Sequence, residues 1–105
     1  MEKTTMEAHT LAAALGRTTG SRESRRIIRA GRVPAIIYGG DEESVLLTLD
    51  SQEFERFLRN TRPGEREVSL EFDDGSRMVV TPHQVDRHPF RDYVRHVDFM
   101  RVTAS

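Results

Sequence analysis

Four arginines recur at three- and four-residue spacing in the stretch SRESRRIIRAG, residues 21–31: Arg22, Arg25, Arg26 and Arg29. A guanidinium group is planar, permanently charged and forked, so its characteristic chemistry is bidentate holding of phosphate or carboxylate. On a helix the four side chains fall within one arc of roughly 100°, with Ile27 and Ile28 opposite. The spacing predicts a helix capped by Ser21, running to about Ala30 and ended by Gly31. Its isoleucines would dock it and its arginines would face outward. Like charges at these spacings disfavour a helix by about 0.2–0.5 kcal/mol per pair, roughly 1–2 kcal/mol for the stripe. Glu23 lies to the side of that stripe. A phosphate backbone would relieve the repulsion. So would the acidic segment 41–55 of the same chain, an acidic protein partner, or solvent alone.

A second group of chemistry-bearing residues lies near the C-terminus, in HQVDRHPF and RHVDF. His96 and Asp98 are two apart, so on a strand they share a face and can act as a hydrogen-bonded pair. Such a pair can read base edges and 2′-hydroxyls, or it can be purely structural. His83, His88 and His96 admit a metal-dependent hydrolase, but no HxxxH or HExxH spacing accompanies them, and no GxSxG nucleophile motif is present. Tyr38 ends an apolar run just before Gly39 and Gly40, where it can stack on a base, bond a phosphate or pack at a rim.

Charge distribution sharpens the question. The chain of 105 residues has a net charge of −1, yet residues 17–32 carry six arginines against one acid, and residues 41–74 carry eleven acids against four arginines. Residues 87–101 turn basic again, with Arg87, Arg91, Arg95 and Arg101 against Asp92 and Asp98. That asymmetry points to an anionic partner on one side of the molecule. There is no cysteine, which excludes disulfides and thiolate metal sites. No secretory h-region or membrane-length apolar run is present, so the expectation is a soluble, intracellular protein, and the lack of cysteine is compatible with a cytoplasmic one.

The elements that must position these residues are short. HTLAAALGR reads as a first strand, RVPAIIYGG as a second and VLLTLD as a third. Asp50 with Glu53 opens a second helix, SQEFERFLRNT, whose Phe54, Phe57 and Leu58 form its apolar stripe. REVSLEF and RMVVT flank the turn DDGS, in which Gly75 supplies the positive φ, and Pro82 is read as ending the pairing or marking an edge. DYVRHVDFMRV is the last strand. Six strands and two or three short α-helices predict a mainly β domain, a curled or closed antiparallel sheet with flanking helices. Residues 1–8 are expected to be a flexible N-terminus, and residues 9–105 one domain.

SRRIIRAGRVPAIIYGG, followed by QVDRHPF and RHVDFMRV, resembles the bacterial large-subunit ribosomal protein family twenty-five, over about residues 9–102. That family includes short one-domain forms and the longer CTC general stress type. The resemblance implies a six-stranded β-barrel with flanking helices, no enzymatic activity and no cofactor or metal. It implies binding to the loop E region of 5S ribosomal RNA in the large ribosomal subunit, as a monomer off the ribosome, with no membrane or small-molecule partner. Carried over by motif, the implied contacts are Arg17, Ser24, Arg25, Arg29, Tyr38, Arg87, His96 and Asp98; Arg22 and Arg26 join them from the stripe. Departures from the common pattern fall at Ser21, Glu23, Ile28 and His83, and the segment after Gly40 is acidic here.

Overall fold

The computed structural model describes residues 9–16, 19–61 and 67–102. Among these, β1 (Thr10–Leu15), α1 (Ser21–Arg29), β2 (Arg32–Tyr38), β3 (Val45–Asp50), α2 (Ser51–Asn60), β4 (Val68–Phe72), β5 (Arg77–Arg87) and β6 (Val94–Arg101) follow in chain order. The strands close into a barrel in the order β1-β3-β2-β6-β5-β4, with β4 returning to β1. The segment 1–8 lies outside the described residues.

Alternation builds the wall. Val68, Leu70 and Phe72 of β4 point inward, as do Leu47 and Leu49 of β3 and Val33, Ala35 and Ile37 of β2; all are buried. From β6, Val97 and Phe99 complete the interior. α2 adds Phe54 and Phe57 to this core, with Phe54 edge-on to Phe99 at 6.1 Å between ring centroids and Phe57 edge-on to His9 at 5.4 Å. The Asp50 carboxylate caps α2 by accepting from the Glu53 N–H at 2.9 Å, as its sequence predicts.

Three expectations are corrected. First, the barrel is mixed rather than antiparallel: β1 pairs parallel with β4 and β2 parallel with β6. Alternating polarity specifies which face a residue takes but not the direction of its neighbour. Parallel pairs need long crossovers, and these join strands far apart in the chain, Leu11 opposite Leu70 and Ala35 opposite Val97. Second, Pro82 does not end the pairing. β5 continues through it to Arg87, with a register shift between Pro82 and Gln84 that accommodates the missing N–H. Third, Gly20 rather than Ser21 is the N-cap of α1, and no side chain caps that end. At the other end of α1, Gly31 turns the chain at φ 82° and its carbonyl accepts from the Ser51 N–H at 3.0 Å, tying the two helices together.

The β4–β5 hairpin turns at Gly75, φ 91°. Asp74 Oδ1 accepts from the Ser76 backbone N–H at 2.9 Å and from its hydroxyl at 2.6 Å. The Ser76 hydroxyl, and then its N–H, hold the Asp74 carboxyl below the ordinary aspartate range. A depressed carboxylate stabilises the fold at neutral pH and loses that contribution as pH falls through the lowered value. Side-chain NMR is expected to show Asp74 titrating below ordinary aspartates, and Ser76→Ala is expected to move it part of the way back, because the backbone N–H at that position still donates. Among the described residues no helix is long and apolar enough to cross a membrane.

Candidate nucleic-acid interface

α1 packs along β2, and none of its residues is fully buried. Ile27 and Ile28 are half-buried, and Arg22, Arg25, Arg26 and Arg29 are all exposed. Glu23 approaches Arg26 more closely than its place beside the stripe predicts, at 3.9 Å. That contact is loose, and the Arg26 side chain is 73 % exposed, so it contributes little. Arg22, Arg25 and Arg29 make no ion pair with any described carboxylate.

The acidic segment 41–55 is answered elsewhere. Arg101 ties down the β2–β3 loop by donating to the carbonyls of Gly39 at 2.7 Å and Glu43 at 2.6 Å, with the Glu42 carboxylate at 3.8 Å from its Nε. Arg87 takes Glu55 at 3.0 Å and Asp92 at 2.8 Å. The Glu55 side chain holds the Arg87 guanidinium above its ordinary pKa, against an opposing effect of burial, with Asp92 adding to the rise. Backbone carbonyls and carboxylates thus engage these two arginines, while Arg22, Arg25 and Arg29 keep no described carboxylate partner.

Between α1 and the outer face of the β5–β6 ladder runs an open groove of about 690 Å³. Ser21, Ser24, Arg25 and Ile28 of α1 form one wall. Asp86, His88, Tyr93, Arg95 and His96 form the other. His96 Nδ1 lies 3.2 Å from Asp98 Oδ1, so the i, i+2 spacing does place the two side chains together on the outer face. His88 fixes the β5–β6 loop: its Nδ1 accepts from the backbone N–H groups of Phe90 and Arg91, both at 3.0 Å, and its ring lies 5.0 Å from that of Tyr93.

Of the residues marked by sequence, the structure brings Ser24, Arg25 and His96 into one groove, with Asp98 bonded to His96 and the other stripe arginines on the same helix. Tyr38 lies farther along. It stands opposite Met100 on β6, about 13 Å from His96 at ~3.3 Å per residue, and packs edge-on against His83 at 6.1 Å. Arg87 is not brought to the groove lining. It stands opposite the buried Val94, on the inward rung of the ladder, and turns toward α2 and Glu55. Arg17 lies outside the described residues. Sequence reasoning missed Asp86, Tyr93 and Arg95. For Arg95 a signal existed: alternation counted back from Val97 puts an arginine inside a closed barrel, which only a register break avoids. Among the described residues no three metal-type side chains converge. His83 and His96 stand on different strands, and His88 sits in the connecting loop.

A small closed barrel flanked by a helix with an exposed cationic stripe defines a structural class, a rigid β wall that carries a basic helix. The particular family follows from comparison. The model of the Ribosomal L25p family matches residues 12–99, and the chain belongs to that family. Large ribosomal subunit protein bL25 of Bordetella avium is 39 % identical over 93 residues, covering 89 % of this chain and 47 % of the relative. The proteins of the same name from Alkalilimnicola ehrlichii and Xylella fastidiosa are 38 % and 35 % identical, covering 90 % and 95 % of this chain and 44 % and 48 % of the relatives. The chain thus spans about half the length of the curated relatives it matches.

Proposed function

We propose that this domain is a non-enzymatic component of the large ribosomal subunit that binds the loop E region of 5S ribosomal RNA, in the cytoplasm and as a monomer when off the ribosome. The observation that carries this is the groove itself: Arg25, exposed and without a described carboxylate partner, rises on α1 to face a wall that bears His96 and its bonded Asp98, with Arg22, Arg26 and Arg29 exposed on the same helix. The arginines hold phosphates and set the register of the RNA. Ser24, His96 and Asp98 offer both donors and acceptors, which suits the 2′-hydroxyls and base edges displayed in the wide, shallow minor groove of A-form RNA. Tyr38 extends the same β2–β6–β5 face beyond the groove. Family membership supports the reading, because the relatives are named as large-subunit proteins.

Titration with a 5S ribosomal RNA transcript and with an unrelated RNA duplex tests it. The 5S transcript is expected to bind selectively. With four to five phosphates neutralised, the logarithm of the binding constant is expected to fall with the logarithm of salt at a slope of about −4. Chemical footprinting is expected to protect the irregular internal loop. Equal binding to both RNAs removes the 5S assignment. Absence of RNA binding removes the RNA reading altogether and leaves the basic helix to an acidic protein partner.

A further inference from the structure

The β5–β6 ladder is interrupted twice, and each interruption gives one strand a residue without a cross-strand mate. Between the pairs Pro82–Phe99 and Gln84–Asp98 the extra residue is His83. Between Asp86–His96 and Arg87–Val94 it is Arg95, on β6. Bulges re-aim side chains, and this one has a definite consequence. Val97 is wholly buried, so unbroken alternation would put Arg95 on the core side. Instead Val94 takes the core position at 1 % exposure, and Arg95 stands partly exposed in the groove beside His96.

Arg95 is also held. Its Nη2 donates to Asp86 Oδ1 at 3.0 Å, and Asp86 sits directly opposite His96 on the neighbouring strand. The pair uses one arm of the guanidinium fork. Among the described residues Nη1 has no partner, and Nε is buried without an acceptor. The groove therefore presents a guanidinium from each wall, Arg25 from α1 and Arg95 from β6.

We propose that Arg95 is a further phosphate contact in this groove and that Asp86 is its positioning residue. The proposal rests on the RNA reading of the groove. A polyanionic strand lying between α1 and β6 meets cationic donors on both sides, and the free arm of Arg95 is the one available to it. Holding a long side chain in place beforehand reduces the ordering cost on binding, which is what Asp86 supplies.

The test uses the full chain and a 5S ribosomal RNA transcript, with Kd measured over a series of salt concentrations and folding checked by thermal melts. Arg95→Ala is expected to weaken binding by about 5- to 100-fold and to flatten the salt slope by about 0.9. Arg95→Lys is expected to restore the slope and part of the affinity, because lysine keeps the charge but not the fork. Asp86→Asn is expected to weaken binding by about 2- to 5-fold with the slope unchanged, and to have no weakening effect when Arg95 is already alanine. Arg25→Ala serves as the reference. If it weakens binding and Arg95→Ala does not, the proposal is overturned while the RNA reading stands. If neither variant changes binding, the RNA reading of the groove fails. Weaker binding of Arg95→Ala with an unchanged salt slope marks an indirect effect and also overturns the contact. Equal or tighter binding by Asp86→Asn overturns the positioning role.

Discussion

Phe54→Ala is expected to destabilise the domain by about 3–5 kcal/mol, the usual range for truncating a fully buried phenylalanine. Phe54 is completely buried and meets Phe99 edge-on and Phe57 at an interplanar angle of 33°. Its removal takes away apolar contact and leaves a space that a closed barrel cannot readily collapse to fill, because the surrounding strands are hydrogen-bonded on both sides. Total stability of a small domain is about 5–15 kcal/mol, so this one change removes a large share of it. Urea denaturation followed by circular dichroism measures the loss. A cost below about 1 kcal/mol would show that α2 is not integral to the core. The same helix positions Glu55, which pairs with Arg87. Loss of α2 packing is thus expected to free the β5–β6 end as well.

The double variant Arg25→Ala, Arg29→Ala is expected to abolish most of the affinity for 5S ribosomal RNA, by about 2–6 kcal/mol if each phosphate contact is worth 1–3 kcal/mol. The two side chains are four residues apart on one exposed face, so an RNA strand meeting one would meet the other and the combined loss is expected to fall at or below the sum. Stability is expected to change little. Neither arginine has a described carboxylate partner, and their removal takes away like-charge repulsion of about 0.6–1.5 kcal/mol over three helix spacings, offset by losing the favourable place of Arg29 in the last turn of α1, about 0.3–1 kcal/mol. Anisotropy titration and a thermal melt on the same preparation check both expectations. Wild-type affinity in a folded double variant would remove the stripe from the interface.

The stripe illustrates how much was legible before folding. The i, i+3, i+4, i+7 spacing of the arginines is a property of the chain, and α1 displays it as read. The strands likewise follow from alternation, as Val68, Leu70 and Phe72 show in β4. The i, i+2 relation of His96 and Asp98 survives as a contact of 3.2 Å. Local periodicity is enough for such features, because neighbours a few residues apart are fixed by φ and ψ alone.

Arg87 and Arg95 illustrate the opposite case. Both are arginines near the end of the β5–β6 hairpin, and the family motif marks only Arg87 as a contact. One extra residue in β6 separates their fates: Arg87 faces the inward rung and pairs with Glu55, while Arg95 turns out to the groove. The bulge shows in the sequence only as an arginine that alternation from Val97 would bury, and a shift of one residue exchanges the two faces of a strand.

By itself, then, the chain determined the order of the elements, the apolar side of the regular strands and of α2, the cap at Asp50 and the cationic face of α1. Only the closed barrel decided which strands run parallel, where the ladder slips by one residue, and which arginines meet carboxylates of the same molecule. The reason is physical: short-range geometry is written in residue spacing, whereas pairing across 16 residues, as for Arg32 and Thr48, or 62, as for Arg101 and Gly39, is settled when burial of the core fixes the register of all six strands together.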